Sequence, residues 1–114
     1  MQFLLLIHAS EGGTPTAAEG EQIHAAYKSY TEELKRAGVW RGGEPLMPSA
    51  EGKKVTVREG KTRIVDGPFT EAKEVLGGFY MVDVPSRDEA VKWAAKCPGA
   101  HHGTMEVREV MPFM

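Results

Sequence analysis

Residues 3–7 read Phe3-Leu4-Leu5-Leu6-Ile7, apolar at every position. Successive side chains of a strand leave opposite faces, so a strand with one wet face alternates polar and apolar residues. An unbroken apolar run needs cover on both faces. This requirement constrains the fold more than any other feature of the chain. Helices can supply one cover, and the second must come from somewhere else. The cheapest source is another copy of the chain.

The rest of the chain is read against that strand. A helix is expected from about Ala17 to Ala37, with Ile23, Tyr27, Tyr30 and Leu34 in one stripe. Thr16 and Glu19 have capping-box spacing, and Gly38 sits where a helix-ending glycine belongs. Val39–Glu44 reads as a second strand. Val55–Arg58 and Lys61–Val65, around Glu59-Gly60, read as a hairpin. Thr70–Leu76 is expected to form one helical turn, and Phe79–Val84 the next strand. Ser86 to Glu89 has capping-box spacing before a helix carrying Ala90, Trp93, Ala94 and Cys97, which Pro98-Gly99 ends. Thr104–Val110 is the last strand. With the hairpin set aside the order is βαββαβ. The expected fold is α+β: a ferredoxin-like antiparallel sheet with an inserted β-hairpin, in one domain over residues 1–114.

Composition removes several function classes. A chain of 114 residues carrying 41% hydrophobic and 26% charged residues is ordinary for a soluble domain. The formal net charge of −2, without a basic cluster, argues against nucleic acid. No apolar run approaches the roughly 20 residues that span a bilayer, and no signal peptide is expected. The one cysteine, Cys97, allows no internal disulfide, so a cytoplasmic protein is expected. At the end of a helix Cys97 reads as a small buried hydrophobe, not a nucleophile.

Chain direction gathers chemistry at one end of this fold. The first strand ends at His8 and the second at Glu44. The third is entered through Asp66-Gly67-Pro68-Phe69, and the last through His101 and His102. A pocket is expected there. His8 is the candidate acid–base, with Asp66 orienting it. Glu44, Phe69, Lys73 and Tyr80 are candidate ligand contacts, with Lys73 or Tyr80 stabilising negative charge. Asp66 has a plainer role as a turn-capping residue. His8, His24, His101 and His102 with Glu44 have no metal-ligand spacing, so no metal and no cofactor are expected. A binding module without catalysis would use the same pocket.

The stretch from Val65 to Val84, Val-Asp-Gly-Pro-Phe-Thr-Glu-Ala-Lys-Glu-Val-Leu-Gly-Gly-Phe-Tyr-Met-Val-Asp-Val, resembles the DGPF-motif branch of the YCII-related proteins. The opening MQFLLLIH and the hairpin KVTVREGKTRIV resemble that family's first strand and hairpin. The resemblance implies protomers paired sheet-to-sheet as a dimeric α+β barrel. It also implies a pocket histidine and aspartate, for which His8 and Asp66 are the matching positions. It implies no particular reaction, because fold does not carry function.

Overall fold

The structure is a computed structural model that describes residues 1–13, 15–69 and 73–112. Strand β1 spans Gln2–Ala9, helix α1 Ala17–Arg36 and strand β2 Trp40–Pro45. Strands β3 (Lys53–Arg58) and β4 (Lys61–Asp66) follow, then β5 (Val75–Asp83). Helices α2 (Arg87–Lys96) and α3 (Gly99–His102) lead to β6 (Thr104–Glu109). β2, β5, β1 and β6 form a four-stranded sheet in that order, antiparallel at every pairing. β3 and β4 form a separate two-stranded ribbon.

Local chemistry fixes the ends of α1. Thr16 accepts from the Glu19 amide at its N-terminus, and Glu19 returns the bond to the Thr16 amide. At the C-terminus Gly38 takes φ 75°, which costs a glycine little. The Gly38 amide then reaches Lys35 O, and Val39 reaches Leu34 O at 3.2 Å, closing the orphan carbonyls in a Schellman motif. At α2 the Ser86 hydroxyl accepts from the Glu89 amide.

The two long helices cover one sheet face. Phe3 and Leu5 of β1 and Leu34 of α1 are fully buried with Val82 and Cys97. Each large apolar side chain so buried stabilises the fold by roughly 2 kcal/mol. Tyr30 stacks edge-on against Tyr80 at 5.1 Å, and its hydroxyl donates to Trp93 O at 2.7 Å, tying α1 to α2. The Cys97 thiol belongs to this core, and burial raises its pKa, which leaves it a poor nucleophile.

Among the described residues, the other sheet face has no helix on it. Register places Glu44, Phe79, Leu6 and Glu106 in one row across it, and Met81, Leu4 and Arg108 in the next. The apolar residues expected to need a second cover are therefore on a face that this chain leaves open. Principal extents of 47 × 44 × 18 Å describe a flat body with a single helix layer.

Three details differ from the sequence reading. β5 begins at Val75, so Val75 and Leu76 are extended instead of closing a helical turn. Their backbones pair with Ala9 and His8, and that ladder outweighs any local helical preference. Residues 70–72 of that expected turn lie outside the described residues. His101 and His102, which as the entry to the last strand read as strand-like, occupy the short helix α3, both exposed. Third, the hairpin's polar alternation suggests a ribbon with one wet face, and the structure leaves it exposed along its whole length, on both faces.

Candidate functional site

The sheet's register brings three chain segments to the same end. His8 pairs with Leu76 of β5 on one side and with Thr104 of β6 on the other. Alternation puts the His8 side chain on the open face with Leu4 and Leu6. Glu106, two residues beyond Thr104, shares that face. His8 Nε2 lies 3.1 Å from Glu106 Oε1, with the two side chains 30% and 34% exposed. The second oxygen of Glu106 accepts from Arg108.

This arrangement has a defined electrostatic character. The Arg108 hydrogen bond, aided by His8, holds the Glu106 carboxyl below the ordinary carboxylate range. An ionised carboxylate can only accept, so Nε2 of His8 carries the proton. In the neutral imidazole Nδ1 is then the acceptor, and it is the atom able to take a proton from a ligand.

His8 lines a cleft of about 560 Å³, within the range of small-molecule sites. Leu46, Met47, Val75 and Leu76 give it apolar walls, and Lys54, Glu51 and Glu74 are its charged groups. Phe69, Pro48 and Val75 also line a second cleft of about 480 Å³, with Glu11, Pro68 and Lys73 among its other residues. The Lys54 ammonium lies over the Phe69 ring, 4.4 Å from its centroid.

The Asp66-Gly67-Pro68-Phe69 turn brings Phe69 to both clefts and Pro68 to the smaller one. Asp66 pairs with Lys53 at 2.6 Å and closes the base of the ribbon. The Gly67 amide donates to Gly52 O at 2.9 Å. The Gly67–Pro68 peptide is cis. A Cβ on Gly67 would lie 1.8 Å from Ser49 O, so the turn sits directly on the 3₁₀ turn Ser49–Glu51. Ser49 is held in turn by Glu11: its amide donates to Oε2 at 2.7 Å and its hydroxyl donates to Oε1.

That clamp is pH-sensitive in a direction its geometry sets. The two Ser49 hydrogen bonds hold the Glu11 carboxyl below its ordinary value. A carboxyl depressed in the folded state adds stability above its unfolded value of about 4.3, and the gain is lost as pH falls through the lower folded value. Glu11→Gln should therefore lower the melting temperature at pH 7 and cost progressively less below about pH 4. A gap between wild type and variant that stays constant from pH 7 to about 3 would contradict this.

The structure distributes the expected site residues unevenly. His8 and Phe69 line the larger cleft, and Phe69 and Lys73 the smaller. Glu44 is exposed on the open face, in the same row as Glu106. Asp66 is 72% exposed, lines neither of these clefts and is paired with Lys53; the carboxylate beside His8 is Glu106. Tyr80 faces the helices, with its hydroxyl 3.0 Å from Thr31 Oγ1, on the opposite side of the sheet from His8. Glu106 was not a sequence candidate. Its signal was faint: an acidic residue in the last strand, two positions from the residue that pairs with His8. Among the described residues, no group of three or more His, Cys, Asp or Glu is placed to hold a metal.

Comparison with known proteins places the chain in a family without adding a reaction. The chain is 36% identical over 88 residues to a protein of Rhizobium meliloti (strain 1021) described as uncharacterized, covering 75% of this chain and 68% of that one. The family model of the YCII-related domain matches residues 1–114, and the chain belongs to that family.

Proposed function

We propose that this chain is a small-molecule protein that exchanges a proton with a ligand bound in the His8 cleft. The observation that carries the reading is the 3.1 Å contact between His8 Nε2 and Glu106 Oε1 at the wall of that cleft. It supports a tautomer with the proton on Nε2, which leaves Nδ1 as the base in this reading, with Glu106 in the orienting role that sequence reasoning gave to Asp66. Phe69 and the apolar walls favour an aromatic or aliphatic body. The charged lining is mixed, Lys54 with Glu51 and Glu74, so it selects no sign of charge on that body.

The strand order β2-β5-β1-β6 supports a ferredoxin-like assignment, and the Asp66–Phe69 motif supports the DGPF branch. We further propose a homodimer through the open sheet face. Leu4, Leu6, Phe79 and Met81 lie there without a helix over them, and a second copy would also shelter His8. No helix of the described residues is long and apolar enough to cross a membrane. The single buried thiol, outside any disulfide, is the feature that supports a cytoplasmic setting.

Phenylpyruvate, an aromatic acid with exchangeable α-hydrogens, serves as probe. Its exchange in D₂O, followed by NMR, should be faster with wild type than in buffer. His8→Asn should remove the enhancement, which for general base catalysis is about 10²–10⁴-fold. Glu106→Gln should remove most of it, and Asp66→Asn little. Shifts at His8 and Phe69 without faster exchange would leave a binding module and end the catalytic reading. No shift at millimolar probe would end both.

A further inference from the structure

We infer that the β3–β4 ribbon is an arm that seats its apolar face on the body of a second copy of this chain. The inference rests on the pairing proposed above and names the element that secures it.

Register sorts the ribbon into two unlike faces. Val55 opposes Ile64 and Val57 opposes Thr62, which puts three branched apolar side chains on one face. They are 60%, 59% and 57% exposed for Val55, Ile64 and Val57. Thr56 opposes Arg63, Arg58 opposes Lys61 and Lys54 opposes Val65, so four of the arm's five cations line the other face with Val65, while the Lys53–Asp66 pair sits at the base of the apolar face. β3 and β4 make their main contacts with each other. A lone two-stranded hairpin is marginal in water, and an exposed apolar strand pair is an association site.

The arm is nevertheless built to hold its shape. Glu59 and Gly60 take φ 52° and 76°, the positive pair of a type I′ turn, whose twist matches the strands. The Lys53–Asp66 ion pair and the Gly67–Gly52 hydrogen bond fix its base. The chain's radius of gyration is 16.1 Å, against about 13 Å for a compact chain of this length. A rigid projection loses little entropy on docking.

Charge selects the occupant. Residues 53–66 hold five of the fourteen Lys and Arg but two of the sixteen Asp and Glu, so the arm carries +3 and the remainder −5. Arm-to-arm stacking of the apolar faces is opposed by like charge. Arm-to-body docking is favoured, and Lys and Arg stems are long enough to reach round a two-stranded ribbon. A polyanion or an anionic membrane would attract the arm and repel the body. A second copy offers the complement of both, and a twofold exchange of arms closes the assembly.

The test uses the whole chain. Val55→Thr, Val57→Thr and Ile64→Thr together keep every position β-branched, so strand preference survives while the apolar face is lost. Sedimentation should show a wild-type dimer whose dissociation constant rises with salt, and at least a tenfold weaker dimer for the triple variant. A nitroxide on Lys61→Cys, in copies mixed with isotope-labelled wild type, should broaden body amides of the labelled copies. An unchanged dimer in the triple variant, with no such broadening, would overturn the arm's role. If Leu6→Lys then dissociates that dimer, the sheet-face pairing stands alone. A monomeric wild type would overturn both. A monomer that binds phosphatidylserine vesicles or duplex DNA through the arm would reassign the arm to a polyanion.

Discussion

Gly103→Ala should lower the melting temperature by roughly 10–15 °C, corresponding to about 3 kcal/mol of stability lost to overpacking. A Cβ there would lie 2.1 Å from His8 O and 3.1 Å from Ala9 Cα. Both neighbours are central-strand backbone, so no flexible side chain can yield. Gly103 hands the chain from α3 to β6, and its amide donates to Gly99 O at 2.9 Å. Relief therefore requires β6 to leave β1 at its first pairing, His8 with Thr104. That displacement also carries Glu106 away from His8, so proton exchange should fall with stability. Gly20→Ala is the control. Nothing lies within 4 Å of a Cβ at Gly20, which sits in α1, and alanine there should raise stability by up to about 1 kcal/mol. A Gly103→Ala protein melting within 2 °C of wild type would show that the β1–β6 junction tolerates a side chain, contrary to the geometry.

The contrast between these two glycines marks what a sequence can disclose. The Thr16–Glu19 box and the Gly38 terminus are local, with every partner within a few residues, and both are present as read. The run Phe3–Ile7 shows its lack of alternation because alternation is a property of a single strand, and the helix cover it calls for is present over Phe3 and Leu5. The gathering of His8, the end of β2, the start of β5 and the start of β6 followed from chain direction alone. The register confirms it, with His8 opposite both Leu76 and Thr104.

What stayed hidden depends on contacts between distant segments. Glu106 and His8 are 98 positions apart, and a shift of one residue in the β1–β6 pairing would put them on opposite faces. Asp66 was the more visible acid because it sits in a motif. Its neighbour across the ribbon, Lys53, is known only once β3 and β4 are in register. Tyr80 followed the same logic: alternation around Leu5 sends it to the helices, and no local cue distinguishes that face from the open one. The helical turn expected up to Leu76 failed because β5 gains a ladder on Ala9 that composition does not reveal.

Gly67→Ala should detach the Asp66–Phe69 turn from the 3₁₀ turn beneath it while leaving the four-stranded sheet intact. The Cβ would meet Ser49 O at 1.8 Å and Ser49 C at 2.8 Å, a clash that only movement of one backbone against the other can relieve. The cost is about 1–3 kcal/mol by overpacking, but the turn is peripheral and can lift away. The melting temperature should therefore fall less than in Gly103→Ala. The larger effect should be on the cleft: lifting the turn withdraws Phe69 and frees the loop carrying Leu46 and Met47, so probe affinity should drop at least tenfold. Glu11→Gln acts on the same residue from the other side, through the Ser49 amide and hydroxyl. Once Gly67→Ala has displaced Ser49, removing the carboxylate should cost little more. The double variant should then be less destabilised than the two single effects added. Additive losses would mean that Glu11 and Gly67 act on Ser49 independently. Undiminished probe binding in Gly67→Ala would mean that Phe69 holds the cleft open without the turn that carries it.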